Sequence, residues 1–325
     1  MKMEREEITS RTRLDHLKTF GLVVFSVCLS AMIFEALLRL IDYNYTPLRI
    51  KVINDHNDWR YYHSFQDKHF VYDPFLIWRP RKGVPPFTSQ GYRGEEIASI
   101  KSPGSFRIFA IGDSNTLGVL HSKDWPKCLQ DILREQDNRF EVINAGVYGY
   151  SSFQGLRRFQ EALTFQPDIV LISVGWNDAL RVTVSDAEFE SRKIQKLKLD
   201  RILLRLRSGQ LILALLDSIF ASGEERLTPR VSLLEYETNL NKIIQLAKER
   251  NVKVVLLTRP TTEESPSAYD SVTIRVGKSA GIPVIDVYGL FRGRREYFYD
   301  TSHFNDEGNG VMARMINERI RPLLP

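Results

Sequence analysis

The stretch that decides the fold is RIFAIGDSNTLG, Arg107 to Gly118. Its first half is almost unbroken in apolar residues, which predicts a short strand over Phe106–Ile111 buried on both faces of a parallel sheet. The run breaks at Gly112 and leaves Ser114 on the turn beyond, with a helix expected to follow. Open α/β sheets form their ligand crevice at the carboxyl ends of the strands, where this turn falls. Backbone N–H groups at the start of a helix point toward a developing negative charge. That is a good seat for a nucleophilic serine. Gly-Asp-Ser is equally a common turn composition, so the tripeptide alone does not choose.

Downstream of Phe106, strand-like and helix-like stretches alternate. Strands are expected at Phe106–Ile111, Glu141–Asn144, Ile169–Val174, Val252–Leu257 and Pro283–Val287. Helices are expected at Trp125–Gln136, Gln154–Phe165, Leu233–Arg250, Tyr269–Ala280 and Asp306–Ile320. This alternation argues for a parallel five-stranded sheet with helices on both faces. Residues 182–230 are too long for a plain connection and read as an insertion. Residues 42–103, rich in Tyr, Trp, Asn, Asp and Pro, read as an irregular lead-in that wraps the domain. In it, Gly91-Tyr92-Arg93-Gly94 reads as a surface turn with Arg93 available to a carboxylate.

A chain of 325 residues holds one large α/β domain with appendages, or two small domains. The net charge of +5 is modest and no basic run is interleaved with aromatics, which argues against a nucleic-acid partner. Cys28 and Cys128 have neither disulfide-framework nor metal-ligand spacing.

At the amino terminus, Thr19 to Phe34 carries no charge, and apolar character resumes after Glu35. Residues 17–41 therefore have the length of a transmembrane anchor, behind a leader of residues 1–16 that holds Lys2, Arg5, Arg11 and Arg13. The positive-inside tendency puts the leader in the cytoplasm and the domain on the periplasmic or extracellular side. Three other readings compete. A cleaved signal peptide lacks a clear small-residue cleavage site, lipid attachment at Cys28 meets Val27 where a small residue is needed, and Glu35 and Arg39 also suit a buried core helix.

Four stretches align with strand ends: Ser114 after the first, Gly146 after the second, Asn177 after the third, and Asp300 with His303 after the fifth. A serine hydroxyl needs a base, which His303 supplies, and an imidazole needs its tautomer set, which Asp300 can do. A tetrahedral oxyanion needs donors, and the N–H groups of Ser114 and Gly146 and the Asn177 amide are candidates. Singly, Gly146 is also a strand-end turn, Asn177 an Asx-turn and His303 a surface histidine. Their joint order is what carries weight.

GDSN at Gly112–Asn115, NAGVYGYSS around Gly146, GWND at Gly175–Asp178 and DTSH at Asp300–His303 resemble the four blocks of the SGNH (GDSL-type) hydrolases. The resemblance covers Arg107 to Ile320. It implies a three-layer α/β/α, flavodoxin-like domain over residues 104–325, and acyl-ester hydrolysis without metal or organic cofactor. Ser114 is then nucleophile and first oxyanion donor, Gly146 and Asn177 the other donors, His303 the base and Asp300 its orienter. The anchored amino terminus resembles that of membrane-tethered members, and the ester partner, whether lipid, glycan or small molecule, stays open. So do two alternatives: an acyl- or acetyltransferase on envelope glycans, and an inactive binding or assembly protein of the same fold. In the insertion, seven basic residues between Arg192 and Arg207 precede the mainly apolar Leu211–Phe220. That pattern suits a hairpin packed on the domain, or a lid resting on anionic headgroups above Ser114.

Overall fold

The computed structural model describes residues 2–43, 68–73, 75–118, 123–182, 185–187, 206–220 and 228–325. They fall into two units, Met1–Leu48 with Gln195–Gly223, and Arg49–Ile194 with Glu224–Pro325. The chain opens with helix α1 (Lys2–Leu40). A hairpin of β1 (Phe70–Asp73) and β2 (Ile77–Pro80) precedes β3 (Phe106–Gly112), α2 (Ser114–Leu117) and α3 (Trp125–Arg134). Next come β4 (Phe140–Asn144), α4 (Ser152–Leu163), β5 (Ile169–Ser173) and the short β6 (Arg181–Val182). Helix α5 (Arg207–Phe220) belongs to the first unit. The second resumes with β7 (Thr228–Pro229), α6 (Leu233–Glu249), β8 (Lys253–Leu257) and α7 (Ala268–Ala280). It ends in β9 (Val284–Ile285), α8 (Val287–Phe291) and α9 (Asp306–Ile320).

Five parallel strands form the central sheet of the second unit in the order β4-β3-β5-β8-β9. This is the doubly wound order of the flavodoxin type. Side chains alternate across a strand, and β3 divides accordingly. Phe109 and Ile111 join the core under α4, α6 and α7, while Ile108 and Ala110 join the core under α3, α8 and α9. The expected α/β/α architecture is the observed one. The strand set at Pro283–Val287 is shorter than expected, because the Asp286 carboxylate accepts from the Gly289 N–H and starts α8.

The lead-in residues are tied to the strand ends. Trp78 donates its indole N–H to the Tyr148 carbonyl at 2.9 Å, and the Tyr150 hydroxyl returns a bond to the Trp78 carbonyl at 2.8 Å. Arg93 does not lie on a surface turn. Its Nε is 3.0 Å from Oδ2 of buried Asp124, with 9% of the Arg93 side chain exposed, and its Nη1 donates to the Leu117 carbonyl at 2.7 Å. One lead-in arginine thereby holds the end of the turn that carries Ser114.

In the first unit, α1 includes one segment, Lys18–Leu40, long and apolar enough to cross a membrane. The helix extends back through the leader to Lys2, whose Met, Glu and Arg residues are good helix formers. The large apolar side chains from Phe20 to Phe34 are exposed, unlike those of a core helix. The basic stretch 192–205 lies outside the described residues, so the lid reading of it is without a structural counterpart.

Removing one member of a buried, hydrogen-bonded ion pair leaves the other charge uncompensated. Arg93→Ala should accordingly destabilise the second unit by about 3–5 kcal/mol, read as a lower urea midpoint. A midpoint within error of the parent would show that Asp124 and the Leu117 carbonyl find other partners.

Candidate active site

Ser114 is the first residue of α2, and Asp113 caps that turn by accepting the Asn115 N–H at 2.9 Å. Two glycines explain how the turn fits. A Cβ at Gly112 would lie 2.1 Å from Thr116 Oγ1 and 2.5 Å from the Ser173 carbonyl, so the end of β5 can press against the turn only beside glycine. A Cβ at Gly146 would come within 2.3 Å of the Leu117 nitrogen. The close approach at Gly146 is therefore to the backbone of α2. Asn144 fastens the same contact: its Nδ2 donates to the Thr116 carbonyl at 2.9 Å, and its Oδ1 accepts the Gly146 N–H at 3.0 Å.

His303 arrives from the loop before α9. Its Nε2 lies 2.8 Å from Ser114 Oγ, and its Nδ1 lies 2.7 Å from Asp300 Oδ2. Asp300 Oδ1 also accepts the N–H groups of Ser302 and His303, each at 2.8 Å. The carboxylate is held in a tight turn that aims its second oxygen at the imidazole.

Asn177 starts a short 3₁₀ turn after β5, and its amide donates to the Tyr150 carbonyl at 3.1 Å and to Asp113 Oδ2 at 3.4 Å. All five residues singled out by the sequence thus converge at one sheet edge. Ser114, His303 and Asp300 are directly linked, and Asn177 reaches them through Asp113. Gly146 packs against the α2 backbone at Thr116 and Leu117. The N–H of Gly146 and the amide of Asn177 are both engaged by protein acceptors, so an oxyanion would have to compete with Asn144, Tyr150 and Asp113 for them.

The carboxyls around the site are driven apart. Burial pushes Asp113 up to about 6, against the Asn115 N–H and the nearby His303 and Arg259. Burial also pushes Asp178 up to about 7, although Ser152 donates to it through both hydroxyl and N–H. Partial burial acts the same way on Asp300, but the N–H groups of His303 and Ser302 and the His303 ring outweigh it and hold Asp300 below its ordinary value. The carboxylate facing His303 is the one held below its ordinary value.

Several contributors are not legible from the motifs. Asn144 and Asp113 lie inside quoted blocks without an assigned role, and only the turn packing reveals one. Arg259, at the end of β8, pairs with buried Asp270 at 3.1 Å and places its guanidinium 4.9 Å from the centre of the Trp176 ring, beside Asn177. No spacing signal links those positions. Among the described residues, no three His, Cys, Asp or Glu side chains converge as metal ligands would.

Residues 110–311 match the model of the GDSL-like lipase/acylhydrolase family. The chain belongs to that family. An arylesterase of Vibrio mimicus is 37% identical over 86 residues, which is 26% of this chain and 43% of the relative. An esterase of Pseudomonas aeruginosa is 35% identical over 77 residues, 23% of this chain and 38% of the relative. The matches to these two curated relatives therefore span about two fifths of their length. An alpha/beta hydrolase enzyme from the metagenome of Lake Arreo, Spain, is 20% identical with a TM-score of 0.46, over 68% of this chain and 97% of that one.

A carboxyl whose value is raised on folding binds its proton more tightly in the native state. Its contribution is fully present below the unfolded value and is lost as pH rises through the folded one. The parent's stability relative to Asp113→Asn should therefore fall as pH rises from 3.8 to about 6, then level off. Urea midpoints across that range check it, and a relative gain with pH would mean that the ionised Asp113 is the stabilising form.

Proposed function

We propose that this protein is a membrane-tethered serine esterase that cleaves carboxylic esters through an acyl-enzyme on Ser114. The observation that carries the reading is the continuous relay from Ser114 Oγ to His303 Nε2 at 2.8 Å and from His303 Nδ1 to Asp300 at 2.7 Å. His303 takes the hydroxyl proton as Ser114 Oγ attacks the ester carbonyl, and the ionised Asp300 steadies the imidazolium. The tetrahedral oxyanion draws on the N–H groups of Ser114 and Gly146 and on the Asn177 amide. Collapse breaks the C–O bond to the alcohol, which leaves with the proton from His303. Water then enters with His303 again as base, and its attack releases the free acid and restores the serine. Similarity to an arylesterase makes aryl esters sensible first substrates.

The tether is the Lys18–Leu40 segment of α1. The four Lys and Arg of residues 1–16, diluted by four acidic residues that count for little in the positive-inside rule, set the amino terminus in the cytoplasm and the hydrolase outside. A reporter fused after Tyr43 and active only in the cytoplasm would reverse that orientation.

Ser114→Ala and His303→Ala should each lower turnover of a short-chain aryl ester by roughly 10⁴–10⁶-fold with the fold intact by circular dichroism. Asn177→Ala should lower kcat by about 10²–10³-fold with KM little changed. A folded Ser114→Ala protein of near-parental activity would falsify the mechanism. Trapping the acyl-enzyme and offering water against sugar acceptors identifies the acyl recipient, and preferential sugar acylation would make the protein a transferase.

A further inference from the structure

The first unit holds a feature that ester hydrolysis does not use. Glu35, inside the apolar segment of α1, accepts the Arg207 N–H at 2.9 Å with one oxygen. Its other oxygen accepts the Ser208 N–H at 2.9 Å and the Ser208 hydroxyl at 2.8 Å. The opening N–H groups of a helix lack intrahelical partners, and in lipid each unsatisfied one is costly. An acidic residue of the anchor therefore caps α5. Arg39 balances the charge, with its Nε 2.8 Å from Glu35 Oε1.

The position of that cap sets a depth. Glu35 stands five residues before Leu40, the last residue of the apolar segment. At 1.5 Å per residue this puts the start of α5 about 7 Å below the segment's end. Helices that lie in a membrane interface bury their apolar face about 5–10 Å into the headgroup and acyl boundary. The Arg207 guanidinium meanwhile lies 3.7 Å from Asp42, beyond the end of the apolar segment, in the direction a snorkelling side chain takes.

The surface of α5 fits the same environment. Ile212, Leu215, Leu216 and Ile219 recur at the spacing of one helix face, and they are 49%, 55%, 42% and 65% exposed. Gln210, on the opposite side of the helix, is buried. Residues 192–207, immediately before, carry seven Lys and Arg against one Asp, a composition suited to anionic headgroups.

We propose that α5 lies in the interface of the membrane that holds α1, capped there by Glu35, with the Ile212–Leu215–Leu216–Ile219 face in the acyl-chain region. This rests on the tethered reading of α1. The insertion then supplies a second membrane contact at the trans end of the anchor.

The test uses the full chain in vesicles of phosphatidylcholine and phosphatidylglycerol, with Cys28→Ser and Cys128→Ser as background. Single cysteines at Val24, Leu215, Leu216, Ser218 and Ile219 carry nitroxide labels, read by collision with oxygen and with a water-soluble nickel chelate. Labels at 215, 216 and 219 should favour oxygen as the Val24 label does, and the label at 218 should meet the chelate several-fold more often. Glu35→Ala should raise chelate access at 215 and leave Val24 unchanged; no change at 215 would remove the carboxylate from the proposal. Labels at 215, 216 and 219 that meet the chelate freely, or are shielded from both reagents, overturn it while Val24 remains in lipid. A Val24 label in water overturns the tether as well.

Discussion

The site depends on a backbone contact with no room for a side chain. The turn from β3 into α2 is squeezed between the ends of β5 and β4, at Gly112 and Gly146. Either glycine replaced by a larger residue would push α2 away from its neighbours and move Ser114 with it. The contact is reinforced by groups that only accept or donate in one geometry: Asn144 across to Thr116 and Gly146, and Arg93 to the Leu117 carbonyl. A nucleophile must be positioned relative to its base to within a fraction of an ångström. Rigid backbone packing achieves this better than a mobile loop, and the lead-in arginine extends the clamp to residues well outside the sheet.

Charge placement follows from depth. Asp113 and Asp178 are buried and drawn toward their protonated forms, whereas Asp300 is partly exposed and wrapped by N–H donors that favour its anion. An imidazole that must accept and release a proton is best oriented by a carboxylate that does neither. Asp113 serves in another way, capping α2 on one oxygen and meeting the Asn177 amide on the other. It thus couples the serine turn to the residue proposed as an oxyanion donor.

The first unit is organised by a comparable economy. A charged residue within an apolar helix would be a liability if it faced lipid alone. Glu35 instead completes the opening turn of α5 and pairs with Arg39, so its charge is used by groups that would otherwise lack partners. Glu35, the acidic residue that interrupts the apolar run of α1, becomes the means by which a distant segment is attached to it.

The sequence by itself determined the alternation of strands and helices, the apolar segment of α1, and the identity of the residues at the strand ends. These depend on local periodicity and on short motifs, which survive without knowledge of what packs against them. Helix α9 begins and ends where its cap and pattern place it, at Asp306–Ile320. The short β9 departs from expectation because one side-chain cap at Asp286 outweighs an apolar run. What only the tertiary structure decided were the long-range partners: Arg93 with Asp124, Asn144 across the α2 turn, Arg259 beside Trp176, and Glu35 under Arg207. Each joins residues whose spacing in the chain has no bearing on their spacing in space. Burial, which sets whether a carboxyl is a proton holder or an anion, exists only once the chain has closed around it.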